Sequence, residues 1–201
     1  MMVFTSVYCV VDGFFVSNFA GKTAFAAINL IMPFIMILGG IGFMIGTGGS
    51  ALVSYTLGTG DKEKANRYFS MLVYFTILAG ILLTVLGIIF VRPIAELFGA
   101  DESMMDTCVL YGRIVIAFNA AFMLQNIFQS FFVVAEKPRL GLIVTIAAGV
   151  TNMVLDALFV GVFKWGIVGA ALATGISQSI GGLLPLLYFA LPNNSPLQLT
   201  R

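Results

Sequence analysis

From Thr23 to Leu57 the chain runs without one charged side chain. A helix crosses a bilayer core with about 20 apolar residues, so this run is long enough to span one with length to spare. The same reading draws six spans: roughly Met1 to Phe19, Thr23 to Leu57, Tyr68 to Val91, Met105 to Val134, Leu140 to Phe163 and Ile167 to Leu191. With 60% hydrophobic and 9% charged residues and a mean hydropathy of +1.05, the expected fold is all-α, a polytopic membrane bundle of six transmembrane helices. The bundle covers 1–191, and the turn-rich 192–201 reads as a cytoplasmic linker. The first span has no basic leader and carries Asp12 in place of a small-residue cleavage site, so it reads as a membrane helix shortened at its front. The second and fourth spans exceed one crossing and must tilt, kink or project. Pro33 and the glycines at 39, 40, 42, 46, 48 and 49 are the expected places for a bend and for close helix approach.

Placement of charge sets the orientation. Putting the Gly58 to Arg67 loop, the Glu136 to Arg139 loop and the tail inside collects Lys62, Lys64, Arg67, Lys137, Arg139 and Arg201 in the cytoplasm. The opposite side keeps Lys22, Arg92 and Lys164, and Arg113 is expected near the outer interface with its stem snorkelling. No basic patch forms, so nucleic acid is not an expected partner. The chain has no histidine, which removes the usual zinc ligand and the usual general base. Cys9 and Cys108 lack metal or redox spacing and read as buried thiols. No cofactor is expected.

Against this background the polar residues inside spans stand out. Asn152 and Asp156 are one helical turn apart and share a face. Counting inward from the outer span ends puts Asp12, Asp156 and Thr174 on the order of 10 to 12 Å deep, with Asn152 at roughly 16 Å. Each intramembrane carboxylate needs the bundle interior or a wet cavity, because facing lipid costs a few kcal/mol. Two carboxylates in apolar surroundings resist carrying two charges, so the pair suits taking up and releasing a proton or sharing a small cation. A sodium ion at Asp12 and Asp156 is one such reading. Asn119, Asn126 and Gln129 form a stripe on the fourth span beside Gln125 and Ser130. The stripe, with Gln178 on the sixth span, is read as lining a cavity, packing against a second polar helix being the alternative. The glycine-rich Gly39 to Gly49 run is no phosphate loop, since no strand precedes it and no Gly-Lys-Ser/Thr follows.

Several stretches together resemble the multidrug and toxic compound extrusion (MATE) transporter family. They are Val11-Asp12-Gly13-Phe14-Phe15-Val16-Ser17-Asn18-Phe19-Ala20-Gly21, then Gly46 to Asp61 leading to Ala65, then Val134-Ala135-Glu136-Lys137-Pro138-Arg139. The last runs from Asn152 and Asp156 through Gly166 to Gly169-Ala170-Ala171-Leu172-Ala173-Thr174. Where the family commonly has arginine at the loop after helix four, this chain has Val134. The resemblance implies the amino-terminal lobe of a twelve-helix, two-lobe transporter. It implies export of small organic, often cationic, compounds across the cell membrane by alternating access, coupled to inward proton or sodium movement. A second six-helix lobe, missing from this sequence, would complete the cavity. The family's coupling site maps onto Asp12, Asn152, Asp156 and Thr174.

Two other functions compete with this one. A lipid-linked oligosaccharide flippase of the same superfamily wants a basic cavity for its pyrophosphate, whereas the embedded basic inventory is nearly limited to Arg113. An intramembrane aspartyl protease also needs two aspartates, but the contexts Val11-Asp12-Gly13 and Leu155-Asp156-Ala157 do not resemble that class. The expectation is a transporter, not an enzyme.

Overall fold

Lipid offers no hydrogen bonds, so a long apolar stretch satisfies its backbone by coiling on itself. The computed structural model describes residues 2–200, and the side chains of all of these but 2–5, 8 and 9. Among the described residues seven α-helices follow one another: α1 (Met2–Phe15), α2 (Lys22–Gly58), α3 (Lys62–Leu97), α4 (Glu102–Ala117), α5 (Asn119–Val134), α6 (Pro138–Asp156) and α7 (Gly166–Ala190). Helices α1 and α6 each widen into a π turn, Val16–Ala20 and Ala157–Val162. Four helices are long and apolar enough to cross a membrane, or five when α4 and α5 count as one bent span.

The expected count of six helices is corrected at the fourth span. Met105 to Val134 breaks at Phe118 into α4 and α5, which bend by 53°. Neither proline nor glycine marks the break. It seats the Phe118 ring against Gly175 of α7, where an added Cβ would lie 2.2 Å from the ring. The expected Gly58 to Arg67 loop also contracts. Asp61 caps α3 by accepting from the Lys64 N–H at 3.0 Å, so helix begins at Lys62. Helix α2 runs unbroken through Pro33.

Two apolar cores stack along the bundle. One, toward the Lys22 and Lys164 end, gathers Ile31, Ile35, Val91, Cys108, Tyr111 and Ile116. The Cys108 thiol is buried there, 3.5 Å from the Ala27 carbonyl oxygen, as expected; the Cys9 side chain lies outside the described residues. The other core, at the basic end, is aromatic: Phe69, Phe128, Phe131, Phe132 and Phe189, with the Phe69 and Phe131 centroids 4.8 Å apart. Between the cores α2 meets α5 through glycine. Added Cβ atoms at Gly42 and Gly46 would come within 2.6 and 2.9 Å of the Met123 and Ile127 Cα atoms. At Gly40 and Gly48, by contrast, an added Cβ would meet nothing within 4 Å among the described residues.

The segment after α7 folds back onto the bundle. Leu197 is fully buried in the aromatic core. The Gln198 N–H donates to Asn66 Oδ1, the Thr200 N–H to Ser70 Oγ and the Leu199 N–H to the Phe189 carbonyl. Residues 192–200 thus form a strap across α3 and α7.

Candidate functional site

Asp156 is the last residue of α6 before the π turn, and Asp12 lies one turn before the π turn of α1. The two ends pack together, and a Cβ added at Gly161 would lie at ordinary contact distance, 3.8 Å, from the Phe15 ring. The meeting puts the two carboxyl groups side by side, within hydrogen-bonding reach of each other. Asp156 is fully buried. Asp12 Oδ1 and both carboxyl oxygens of Asp156 have no donor among the described residues. Two facing acceptor groups require a bridging positive species, a shared proton or a cation. Their all-oxygen character suits a proton or a hard cation such as sodium better than a soft metal. No third acid, cysteine or histidine joins them among the described residues.

The remaining candidates separate. Asn152 is buried on the same face of α6 as Asp156, one turn away, with its Oδ1 lacking a partner. Thr174 is half-buried on α7, and its carbonyl accepts from the Ser177 hydroxyl at 2.8 Å. Asn119 is buried and turns its amide nitrogen to the Met123 sulfur at 3.5 Å. Asn126 is half-buried and joins two helices. Its amide donates to the Gly39 carbonyl at 3.0 Å, because Gly39 brings the α2 backbone within reach of α5. Gln178 holds a buried oxygen without a partner, and Gln129 borders a small void between α5, α6 and α7.

On its other side Asp12 borders a cleft of about 540 Å³ between α1 and α2. The cleft walls include Ser17 and Asn29, the rings of Phe14 and Phe25, and the thioethers of Met32 and Met36. Aromatic and thioether walls with one carboxylate make a surface suited to organic cations of varied shape. No lysine or arginine lines it.

Comparison with known proteins then decides the family: a family model described as MatE matches residues 1–158. The chain belongs to the MatE family. Its relatives include multidrug export proteins MepA, from Staphylococcus saprophyticus at 27% identity over 91% of this chain and from Staphylococcus haemolyticus at 25% over 94%. The chain spans 41% and 42% of their respective lengths. Among solved structures, an outward-facing multidrug resistance MATE transporter of the MOP superfamily matches with a TM-score of 0.92. It shares 22% identity and covers 99% of this chain and 44% of its own. An inward-facing counterpart matches at 0.90, covering 97% and 44%. The fold is that of MATE transporters, which are transporters and not enzymes.

In this MatE chain, two groups of the site were not singled out by the sequence reading. Ser17 and Asn29 share the cleft with Asp12, yet each side chain also bonds the carbonyl a turn earlier, Phe14 and Phe25 respectively. A hydroxyl or amide satisfied within its own helix looks unremarkable in sequence. In the sequence Gln125 reads as one member of the polar cluster. Its carboxamide is turned into the α5–α7 seam by Gly181, whose added Cβ would lie 2.7 Å from Cδ.

Proposed function

We propose that this MatE chain is the amino-terminal lobe of a cation-coupled antiporter that exports small organic, often cationic, compounds across the cell membrane. One observation carries the reading: Asp12 belongs both to the buried carboxylate pair and to the wall of the α1–α2 cleft. A proton or sodium ion taken up by the pair removes negative charge from the same wall that attracts an organic cation. The two bound species therefore weaken one another, which is the differential binding that exchange requires. The basic ends of α3 and α6 face the cytoplasm under the positive-inside rule. A second six-helix lobe closes the cavity, in keeping with the chain's share of its relatives' length. The absence of basic residues from the cleft disfavours a flippase for pyrophosphate-linked sugars.

The test is Asp156→Asn in the protein expressed from its complete reading frame. The amide keeps size and removes the second acid. Ion-gradient-driven efflux should stop while membrane insertion and the amount of protein stay unchanged. Efflux at the parental rate in this variant ends the proposal. Replacing a proton gradient with a sodium gradient in the parent identifies the ion.

A further inference from the structure

A small void lies between α5, α6 and α7, toward the basic end from the carboxylate pair. Its volume is about 10 Å³, close to the roughly 10–15 Å³ that one water molecule requires. Three polar side chains line it, Gln125, Gln129 and Thr145, against the apolar Phe128, Phe132 and Val144. Gln125 Oε1 is buried without a hydrogen-bond partner among the described residues. Exchanging the amide oxygen and nitrogen would leave a donor end there instead, so a polar end points into the seam either way. Thr145 is buried, and its hydroxyl proton is committed to the Gly141 carbonyl at 2.8 Å, which leaves its lone pairs free to accept. A water molecule needs two to four polar partners in such a place. This set offers it two acceptors and, from Gln129, an amide donor.

The void is aligned with the carboxylate site. Thr145, Gly149, Asn152 and Asp156 lie on one buried face of α6, and Thr174, Gln178 and Gly181 lie on one strip of α7. From the level of Asn152 to Thr145, and from Thr174 to Gly181, is about 10 Å along either helix at 1.5 Å per residue. Gln178 sits between these levels with another buried, unpartnered oxygen.

We propose that Gln125, Gln129 and Thr145 bind a single internal water molecule, and that it is the inner station of a polar track leading from the Asp12–Asp156 pair toward the cytoplasmic ends of α5, α6 and α7. The track is the route by which the coupling ion leaves the pair. Binding of the water stands by itself; its use as a station rests on the ion-coupling reading of the two aspartates.

Hydroxyl radicals generated from ordered water by a brief X-ray pulse oxidise side chains beside that water, so the two parts are tested separately. In the protein expressed from its complete reading frame and held in membrane vesicles, Phe128 or Phe132 should be oxidised despite burial. Gln125→Leu should reduce that oxidation about tenfold while leaving Tyr55, exposed at the loop end of α2, unchanged, since one water loses a principal hydrogen bond. Thr145→Val, close in shape, should do the same and guards against misfolding of the first variant. An unoxidised Phe128 and Phe132 in the parent overturns the water site. For the track, Gln125→Leu should slow ion-driven efflux about tenfold at unchanged protein level, the loss of one hydrogen-bonded station. Parental efflux with reduced oxidation overturns the track and leaves the water. Coupling retained in Asp156→Asn instead overturns the ion-coupling reading, whatever the oxidation shows.

Discussion

Replacing Gly42 and Gly40 by alanine in turn is a sharp test of how this bundle is held together. The two positions share one helix and nearly one depth, but they differ in what a methyl group would meet. At Gly42 it would stand 2.6 Å from Met123 Cα, 2.7 Å from the Met123 carbonyl oxygen and 2.9 Å from Met123 Cβ. Carbon contacts settle at about 3.5–4.0 Å, so α5 must retreat by roughly 1 Å. The obstacle is backbone and cannot swing aside as a side-chain end would. The retreat also stretches the 3.0 Å bond from Asn126 to the Gly39 carbonyl. Overpacking of this kind costs about 1–3 kcal/mol, offset by up to about 1 kcal/mol for alanine over glycine within a helix. At Gly40 nothing lies within 4 Å, and only the second effect remains.

Gly42→Ala should therefore lose up to about 2 kcal/mol and Gly40→Ala should gain up to about 1 kcal/mol. The propensity gain is common to both, so the difference is the overpacking cost, and at about 2–4 °C per kcal/mol for a chain of this size the two melting temperatures should separate by roughly 2–12 °C. Thermal unfolding in one detergent measures this, read by a thiol-reactive dye on the buried Cys108 in a Cys9→Ser background. A Gly42→Ala protein that melts at or above Gly40→Ala refutes the claim that α2 and α5 meet through glycine.

Leu197→Ala should open the strap. Loss of a fully buried leucine costs roughly 2–5 kcal/mol, enough to speed hydrogen exchange at the Leu199 and Thr200 amides about thirtyfold or more. Unchanged protection there would show that the strap does not depend on the aromatic core. Glu136, exposed and at φ 56° after α5, occupies a left-handed helix end where glycine is the usual residue. Glu136→Gly should raise stability by about 0.5–1 kcal/mol, and a lowered melting temperature would contradict the strain assigned to that turn.

What the sequence disclosed follows the range of the forces involved. Span positions depend on local apolar length, and five of the expected six spans correspond to a single α-helix, two of these ending in a π turn. The depth count paired Asp12 with Asp156 because helical rise is fixed, so position along a span becomes depth. Features set by distant partners stayed hidden. The break at Phe118 depends on a hole left by Gly175, and the strap depends on Leu197 finding Phe69 and Phe189. Asn126 reads in sequence as a free amide on a polar stripe, and only the approach of Gly39 uses it for helix packing. The π turns have no residue signature at all, because they differ from α-helix in hydrogen-bond register rather than in composition.

Those π turns bear on how ion binding could reach the rest of a transporter. Both aspartates sit just before the place where winding widens, and a Cβ added at Gly161 would lie 3.8 Å from the Phe15 ring across the two segments. Such i→i+5 turns inside α-helices are rare and occur frequently at functional sites. The fold as a whole matches an outward-facing and an inward-facing transporter almost equally, with TM-scores of 0.92 and 0.90. On the proposed reading, the change on ion uptake is confined to the joint beside the pair. Charge between Asp12 and Asp156 pushes the ends of α1 and α6 apart, and a bound proton or cation lets them close. The cleft wall carrying Asp12 and Phe14 then moves with α1, while the glycine-packed α2–α5 contact, which has no room to give, serves as the fixed frame against which that wall is displaced.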